Sequence, residues 1–346
     1  MIQFDGVEVT YGDFTALPDF SLTINDGEFF TLLGPSGCGK STALRTLAGF
    51  IQPSAGQIWS EDRDISRLHS SKRGIGMVFQ NYALFPSMTV RENIGFGLKV
   101  AKHSKSEIES RVDNIGRQVN LTEEQMDKGV AELSGGQQQR VAIARALVMQ
   151  PDVLLLDEPL SNLDAKLRQQ LRVQLKQLQV NAGITTVYVT HDQEEALSMS
   201  DRIAVLNKGR IEQVGTPEEL YNNSATEFVC NFLGEVNRLT EQTVKELNRQ
   251  GGNLDPQQNH YIRLEKIRVS ADETPNPAPL VIPSTLVSRQ YQGATAVYTL
   301  NAPGGTLLAL RMENDGKVFD AGHPVTIGID PKWILSFDQE ENNERL

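Results

Sequence analysis

The sequence predicts an α/β protein, in which a mixed sheet is packed with helices and is followed by a small all-β domain. A glycine-rich stretch, residues 34–41, lies between an apolar run and a helical pattern. A second apolar run, Val153–Leu156, ends in two acids, Asp157 and Glu158. Beyond residue 280 the chain consists of short alternating segments separated by turns. Parallel sheets bury apolar runs on both faces, whereas alternation is typical of half-exposed antiparallel strands.

Length and charge limit the possible classes of protein. The 346 residues fit two domains, and we place the boundary between residues 234 and 235. The composition, with 39% hydrophobic and 22% charged residues, is that of an ordinary globular protein. A formal net charge of −11 argues against a nucleic-acid partner, because proteins that bind nucleic acids usually carry an excess of basic residues.

Cysteine content and hydropathy bear on the compartment. One of the two cysteines, Cys38, lies inside the glycine-rich stretch, so we expect no disulfide with Cys230 and a reducing compartment. We expect no signal peptide at the N-terminus, and no run approaches the ~18 apolar residues that a membrane span needs. Any work at a membrane is therefore expected to depend on partners.

The glycine-rich stretch fits G-x-x-x-x-G-K-[ST], the pattern of a phosphate-binding loop. A predicted strand, Phe29–Leu33, precedes it and a predicted helix, Thr42–Leu47, follows it, which is the context the pattern needs. Glycines let backbone N–H groups turn inward around an anion, and the helix start adds partial positive charge. Lys40 is placed to reach the outer phosphates and Ser41 to bind Mg²⁺. The alternative is a chance match in a glycine turn.

Polar and aromatic residues near the ends of the first predicted strands are weaker candidates. Residues 1–33 alternate as half-buried strands do, and Tyr11 follows the first of them. Gln80 follows a strand predicted over residues 74–79, and such a position often faces a site in an α/β sheet. The alternatives are an edge aromatic and a surface glutamine.

Residues 81–150 change to helical periodicity, which predicts a mostly helical insert. Within it, Ser134 is a predicted helix cap, and Gly135 and Gly136 leave the backbone N–H groups behind it open. The segment is either a second anion-binding helix start or an ordinary capped helix.

The acids that follow Val153–Leu156 are predicted to lie at the carboxyl end of a buried strand, where ligands bind in such folds. Asp157 is suited to hold Mg²⁺ or its water, and Glu158 to polarise an attacking water. The alternative is a pair of solvated loop acids. A further strand, residues 185–190, ends at His191, which has either a structural role or a place at the same sheet edge.

Residues 235–346 have a different character. A polar helix over residues 240–249 and a proline-rich run at 274–279 precede short strands, so we predict a small barrel-like β domain. It contains no obvious catalytic constellation.

Together these segments resemble the ATP-binding subunit of an ABC transporter, a P-loop NTPase with a helical subdomain, here residues 81–150. Residues 34–41 match the Walker A motif, and Leu133–Gln137 reads LSGGQ, the family signature. The remaining matches are the Walker B motif at Val153–Glu158, the Q-loop at Gln80, the D-loop at Ser161–Asp164 and the H-loop at His191.

The resemblance implies an ATPase and assigns roles. It implies that Glu158 is the general base, that His191 contacts the γ-phosphate, and that Gln80 and Lys40 take part in catalysis. It implies Mg²⁺ ligation at Ser41, Gln80 and Asp157. The implied nucleotide contacts are Tyr11, Gly34, Pro35, Ser36, Gly37, Cys38, Gly39, Lys40, Ser41, Thr42, Ser134, Gly135, Gly136, Gln137 and Asp164. Tyr11 would stack on adenine, and the Ser134 segment would bind ATP held by a second copy, so a homodimer is implied.

The segment Asn81–Val90, with Glu92–Ile94, resembles the corresponding segment of the ATPases that drive import of polyamines, ferric iron, sulfate, phosphonates and sugars. These carry a C-terminal OB-like regulatory domain of the TOBE type, and the first guesses for the solute are ferric iron and polyamines. Implied partners are transmembrane permease subunits and a separate solute-binding protein. The implied location is cytoplasmic, peripheral on the inner face of the cell membrane.

Two alternative hypotheses for the function remain. One is a soluble ABC-type ATPase in translation or DNA maintenance, which the acidic charge and the lack of a second cassette or a long coiled-coil insertion disfavour. The other is a P-loop kinase, which LSGGQ and the second acid of the Walker B motif disfavour.

Overall fold

The computed structural model describes residues 1–270, 280–313 and 320–339, and divides into two compact units, Met1–Leu220 and Tyr221–Leu346. The proline-rich run at 274–279 lies outside the described residues. The division falls before residue 234 because Arg263 donates hydrogen bonds to the carbonyls of Leu233 and Tyr221, which ties residues 221–234 to the second unit. The domain boundary at 234/235 stays a prediction.

The first unit combines two sheets with helices. Its strands are β1 Ile2–Tyr11, β2 Phe14–Ile24, β3 Phe29–Leu33, β4 Ala55–Ser60, β5 Arg63–Asp64, β6 Ile75–Val78, β7 Val153–Asp157, β8 Thr185–Thr190, β9 Arg202–Asn207 and β10 Arg210–Gly215. Its helices are α1 Lys40–Ala48, α2 Val90–Val100, α3 Lys105–Gln118, α4 Glu123–Met126, α5 Gly135–Leu147, α6 Ala165–Ala182 and α7 Gln193–Met199, and α8 Pro217–Asn222 spans the division.

The larger sheet is mixed, as the sequence predicts. Its order is β10-β9-β3-β8-β7-β6, in which β10 pairs antiparallel and the other neighbours pair parallel. The smaller sheet, β2-β1-β4-β5, is antiparallel throughout.

The larger sheet separates two hydrophobic cores. On β7, Val153 and Leu155 pack into the core beside α1 and the smaller sheet, whereas Leu154 and Leu156 pack into the core beside α2, α3, α5 and α6. Side chains on a strand alternate between faces, so an apolar run here has a buried partner on each side.

The strand order places four loops at one edge of this sheet. β6, β7, β8 and β3 are consecutive neighbours and parallel, so the segments after their carboxyl ends lie side by side. These segments carry Gln80, Glu158, His191 and the glycine-rich stretch.

Helices α2–α5 fill residues 90–147, within the predicted helical insert. α2 begins with a reciprocal cap in which Thr89 accepts from the Glu92 N–H and Glu92 accepts from the Thr89 N–H. In the described part of the chain, no helix is long and apolar enough to cross a membrane.

The second unit has two antiparallel sheets, β11-β12-β18 and β13-β17-β14-β15-β16. Their strands are β11 Val236–Arg238, β12 Gln258–Arg263, β13 Arg268–Ser270, β14 Leu280–Tyr291, β15 Thr295–Ala302, β16 Gly305–Met312, β17 Pro324–Ile329 and β18 Ile334–Asp338. Its helices are α9 Glu227–Phe232 and α10 Glu241–Arg249. Leu247 from α10 joins Ile262, Ile282 and Tyr298 in one core.

Candidate active site

The glycine-rich loop joins β3 to α1 in a backbone shape that requires glycine. Gly37 and Gly39 have φ of 80° and 101°, in the left-handed region. A Cβ on Gly34 would lie 2.4 Å from the Leu206 carbonyl oxygen, so a side chain there would displace backbone. Gly39 caps α1 without a side-chain hydrogen bond, so the helix start presents its N–H groups and positive dipole end to an anion.

Lys40 is the first residue of α1, and its side chain is buried. Its Nζ donates to the carbonyl oxygens of Gly34 at 2.7 Å and Pro35 at 2.8 Å. The ammonium is thereby held over the loop, where phosphate oxygens can replace the carbonyls as its acceptors. The role of Lys40 in phosphate binding stays a prediction.

Ser41 and Asp157 meet across the loop. The Ser41 hydroxyl donates to Asp157 Oδ1 at 3.0 Å, and Arg45 Nη2 lies 3.7 Å from Asp157 Oδ2. Burial raises the pKa of Asp157, while the Ser41 hydrogen bond and the Arg45 charge act in the opposite direction. A hydroxyl beside a carboxylate fits Mg²⁺, which takes few protein oxygens and completes its shell with phosphates and water.

Glu158 follows β7 with an unusual backbone. Its φ is 45°, and its N–H donates to the Val189 carbonyl at 3.0 Å. Its Oε2 lies 3.2 Å from His191 Nδ1, and the two side chains are 19% and 55% exposed. Non-glycine residues at positive φ cost about 1–3 kcal/mol and cluster at functional sites. Asp157 and Glu158 therefore have different surroundings, as expected for different roles.

Gln80 is connected to the Glu158 backbone by hydrogen bonds through Ser161. Gln80 Nε2 donates to Ser161 Oγ at 3.3 Å, and Ser161 Oγ donates to the Glu158 carbonyl at 2.9 Å. Asn162 Nδ2 donates to the Gln80 carbonyl at 3.2 Å. Gln80, Glu158 and His191 thus belong to one hydrogen-bonded group beside the glycine-rich loop.

The Ser134 segment forms a separate group. Ser134 and Gln137 cap α5 reciprocally: the Ser134 N–H donates to Gln137 Oε1 at 2.9 Å, and the Gln137 N–H donates to Ser134 Oγ at 3.4 Å. A Cβ on Gly136 would lie 2.9 Å from Leu167 Cδ2, so this helix start lies against α6. Asp164 caps α6 by accepting from the Leu167 N–H at 3.0 Å. A Cβ on Gly135 would lie 3.1 Å from Leu163 Cδ2, so the segment is adjacent to the D-loop.

Tyr11 is the last residue of β1 and pairs with Phe14 in the β1–β2 hairpin. The two rings are 48% and 64% exposed. An exposed aromatic ring is available to stack on a planar ligand.

Several charged residues that contact the backbone or side chains of this site were not predicted from the sequence. Arg45 follows Ser41 by four residues on α1, a spacing that places both on one helix face and could have indicated it. Arg145 donates to the carbonyls of Tyr82 and Ala83, just after Gln80. Arg168 donates to the Leu163 carbonyl in the D-loop. No local pattern indicates Arg145, because its partners lie more than sixty positions away. Arg168 lies only five residues from Leu163, but its contact with Asp192 depends on the fold.

Comparison with protein families gives two matches. The model for "ABC transporter" matches residues 17–161, and the model for "TOBE domain" matches residues 261–337. The first range contains the phosphate loop, Gln80, the Ser134 segment and Glu158.

Similar curated proteins are import subunits. The chain is 44% identical to the spermidine/putrescine import ATP-binding protein PotA of Chromobacterium violaceum, over 94% of this chain and 96% of that protein. It is 55% identical to a PotA of Bacillus cereus over 68% of this chain and 72% of that protein. It is 52% identical to the Fe(3+) ions import ATP-binding protein FbpC of Fusobacterium nucleatum, over 69% of this chain and 64% of that protein.

Solved structures share the fold. CbiO1 from Clostridium perfringens, part of the ABC transporter complex cbiONQ, has a TM-score of 0.60 and 34% identity, covering 63% of this chain and 89% of its own. The dimeric, post-hydrolysis ATP-binding cassette MJ0796, bound to ADP and Pi, has a TM-score of 0.56 and 34% identity, covering 63% and 99%. These comparisons confirm the predicted fold class.

Proposed function

The chain belongs to the ATP-binding proteins of ABC transporters, and we propose that it drives the uptake of spermidine and putrescine by a membrane importer. As a member of this family it is an ATPase that uses Mg²⁺ and couples hydrolysis to import. The reading as a soluble ATPase in translation or DNA maintenance is not favoured by the relatives.

One observation favours spermidine and putrescine as the transported solutes. A relative named for spermidine and putrescine matches over nearly the full length of both proteins, and its match includes the second unit. The relative named for Fe(3+) ions matches over two thirds of this chain. Ferric iron is therefore the second candidate.

We propose the following roles within one ATP site. Lys40 and the loop N–H groups bind the phosphates. Ser41, Asp157 and Gln80 would hold Mg²⁺, which would neutralise phosphate charge. Glu158 accepts the proton of the attacking water, and His191 contacts the γ-phosphate. The support is the contact between His191 and Glu158 and the link from Gln80 through Ser161 to the Glu158 backbone.

We propose that the site is completed by a second copy of the chain. Ser134, Gly135, Gly136 and Gln137 would bind the γ-phosphate of ATP held on the partner's loop, with Asp164 beside them and Tyr11 stacking on the adenine of its own chain. The capped start of α5 supports this, since a helix N-terminus favours a bound anion. The dimeric structure of the MJ0796 cassette supports it as well.

The proposed partners are permease subunits in the membrane and a separate solute-binding protein, which place the chain on the inner face of the cell membrane. The proposed docking surface for a permease lies on α2 and α3. An apolar cleft of about 710 Å³ is lined by Phe96, Val100, Ile108 and Val112 from α2 and α3. It lies on the helical region that follows Gln80.

Uptake assays test the proposed solute. The chain is produced with permease and solute-binding proteins from its own genome, in cells that lack polyamine importers. Uptake of labelled putrescine, spermidine and ferric iron is then measured. We expect uptake of the polyamines, and at least about a tenfold loss in Lys40→Ala, since removal of the phosphate-binding charge stops hydrolysis. Lys72, which is exposed, provides the matched control Lys72→Ala. Uptake of iron without polyamines would refute the proposed solute.

A further inference from the structure

A buried carboxylate lies directly beneath the turn that carries His191. Glu195 is 2% exposed, and its Oε2 accepts hydrogen bonds from the hydroxyls of Tyr188 at 2.6 Å and Thr190 at 2.7 Å. The Thr190 hydroxyl in turn accepts from the Asp192 N–H at 3.0 Å. Because His191 lies between Thr190 and Asp192, its backbone is fixed on both sides through Glu195.

Arg168, on the first turn of α6, connects this turn to the D-loop. Its Nη2 donates to the Leu163 carbonyl at 3.0 Å, and its Nη1 donates to Asp192 Oδ2 at 3.3 Å. Its Nε lies 3.8 Å from Glu195 Oε1. One guanidinium therefore contacts the D-loop backbone, the residue after His191 and the buried carboxylate.

The positive charge that faces Glu195 comes from two arginines of α6. Arg172 Nη2 lies 3.2 Å from Asp192 Oδ2 and 4.0 Å from Glu195 Oε1. A buried carboxylate needs such partners to remain charged, and Arg is suited to bridging several oxygens because its donors form a rigid fork. Arg172 supplies charge, whereas Arg168 also holds the Leu163 carbonyl.

The D-loop also reaches the other catalytic groups. Ser161 bonds both Gln80 and the Glu158 carbonyl, and Glu158 in turn contacts His191. A shift of residues 161–164 would therefore be transmitted to the Glu158 backbone through Ser161 and to the His191 turn through Arg168.

We propose that Arg168 and Glu195 are positioning residues for ATP hydrolysis, which couple the position of the D-loop to the orientation of His191. This inference rests on the proposed roles of Glu158 and His191. Both residues act through the His191 turn, and neither contributes a group to the nucleotide in the proposed site.

The first measurement is steady-state hydrolysis by Arg168→Gln and Glu195→Gln. We expect kcat to fall roughly 10- to 100-fold, since a misplacement of about 1 Å can cost a hundredfold, with the KM for ATP within about threefold of wild type. Lys176→Gln is the matched control, because Lys176 lies on the same helix and pairs with Asp201 away from the His191 turn. An unchanged kcat in both variants would overturn the inference.

The second measurement separates positioning from mere stabilisation. The imidazole resonances of His191, assigned with His191→Ala, are recorded in protein labelled at histidine. We expect Arg168→Gln and Glu195→Gln to shift them and Lys176→Gln to leave them in place. Where Glu195→Gln does not fold, Thr190→Val removes one hydroxyl from the same network and is expected to shift them, whereas Thr190→Ser is expected to restore them. Unshifted resonances contradict the inference.

The two measurements also separate this inference from the proposed roles. If Glu158→Gln and His191→Ala hydrolyse ATP like wild type, the roles on which the inference rests are wrong. If those variants lose activity while Arg168→Gln and Glu195→Gln retain it, only the positioning role fails.

Discussion

Asp157 is buried at the end of β7 with a hydroxyl on one side and a guanidinium at 3.7 Å on the other. Burial disfavours its charged form and raises its pKa from the ordinary 3.8. A carboxylate in this state binds a cation readily, since Mg²⁺ returns the charge stabilisation that water no longer supplies. The same burial means that ionised Asp157 destabilises the nucleotide-free protein.

Asp157→Asn tests this environment. Because the folded pKa lies above the unfolded one, wild type loses stability as the pH rises through the folded pKa, and below about 3.8 the penalty is absent. We expect the variant to melt at a higher temperature than wild type at pH 7 without nucleotide, and the difference to shrink as the pH falls towards 4.

Calorimetry between pH 8 and pH 4 measures this difference, with the exposed Asp5→Asn as the control that shows none. Adding Mg²⁺ and ATP should reverse the order, because wild type, which keeps the carboxylate proposed to bind Mg²⁺, gains more stability from the ligand than the variant does. A variant that melts below wild type at pH 7 would show that the charge of Asp157 is stabilising.

At the scale of elements, helix α5 carries the Ser134 cap at its start and holds the Q-loop near its end. Arg145 Nη1 and Nη2 donate to the Ala83 and Tyr82 carbonyls at 2.7 Å and 2.8 Å. Tyr82 and Ala83 have φ of 60° and 45°. Each left-handed residue costs about 1–2 kcal/mol, so this turn needs the arginine to persist. One helix therefore links the segment proposed to bind the partner's ATP to the Q-loop of the chain's own ATP site.

Arg145→Gln should loosen the Q-loop. Hydrogen bonds to a charged group contribute about 1.5–3 kcal/mol, so we expect the free energy of unfolding in urea to fall by about 1–3 kcal/mol. Amide hydrogen exchange in residues 79–86 should accelerate. Arg117→Gln on α3, an exposed position, should change neither quantity. Equal exchange rates in the two variants would show that Arg145 does not hold this turn.

At the scale of the whole molecule, the sequence indicated the groups that we propose for the nucleotide but did not indicate the side chains that support them. Residues 34–41, Leu133–Gln137 and Val153–Glu158 are contiguous, because a loop or a strand end must present them together. The strand pattern also predicted the mixed sheet. Which strands are neighbours is set by packing, so the sequence could only suggest that His191 shares an edge with Glu158.

The supporting contacts lie outside such patterns. Arg145 donates hydrogen bonds to residues more than sixty positions away. Arg168, on α6, donates to Asp192, which caps α7. Only the fold creates these pairs, and each residue on its own is an ordinary arginine on a helix. The division of the chain near Tyr221 has the same origin, since it depends on the hydrogen bonds of Arg263.

In the proposed mechanism, each ATP site is shared between two chains, and Glu158 is the general base for hydrolysis. The most direct test is the mass of Glu158→Gln in solution with and without Mg²⁺ and ATP, measured by light scattering together with ATP turnover. A general base contributes about 10²–10⁴-fold, so we predict turnover lower by at least a hundredfold, a monomer without ATP and a stable dimer with it. Adding Ser134→Arg should abolish the dimer while ATP still binds. A Glu158→Gln protein that hydrolyses ATP at a near-normal rate, or that binds ATP and stays monomeric, would contradict the account.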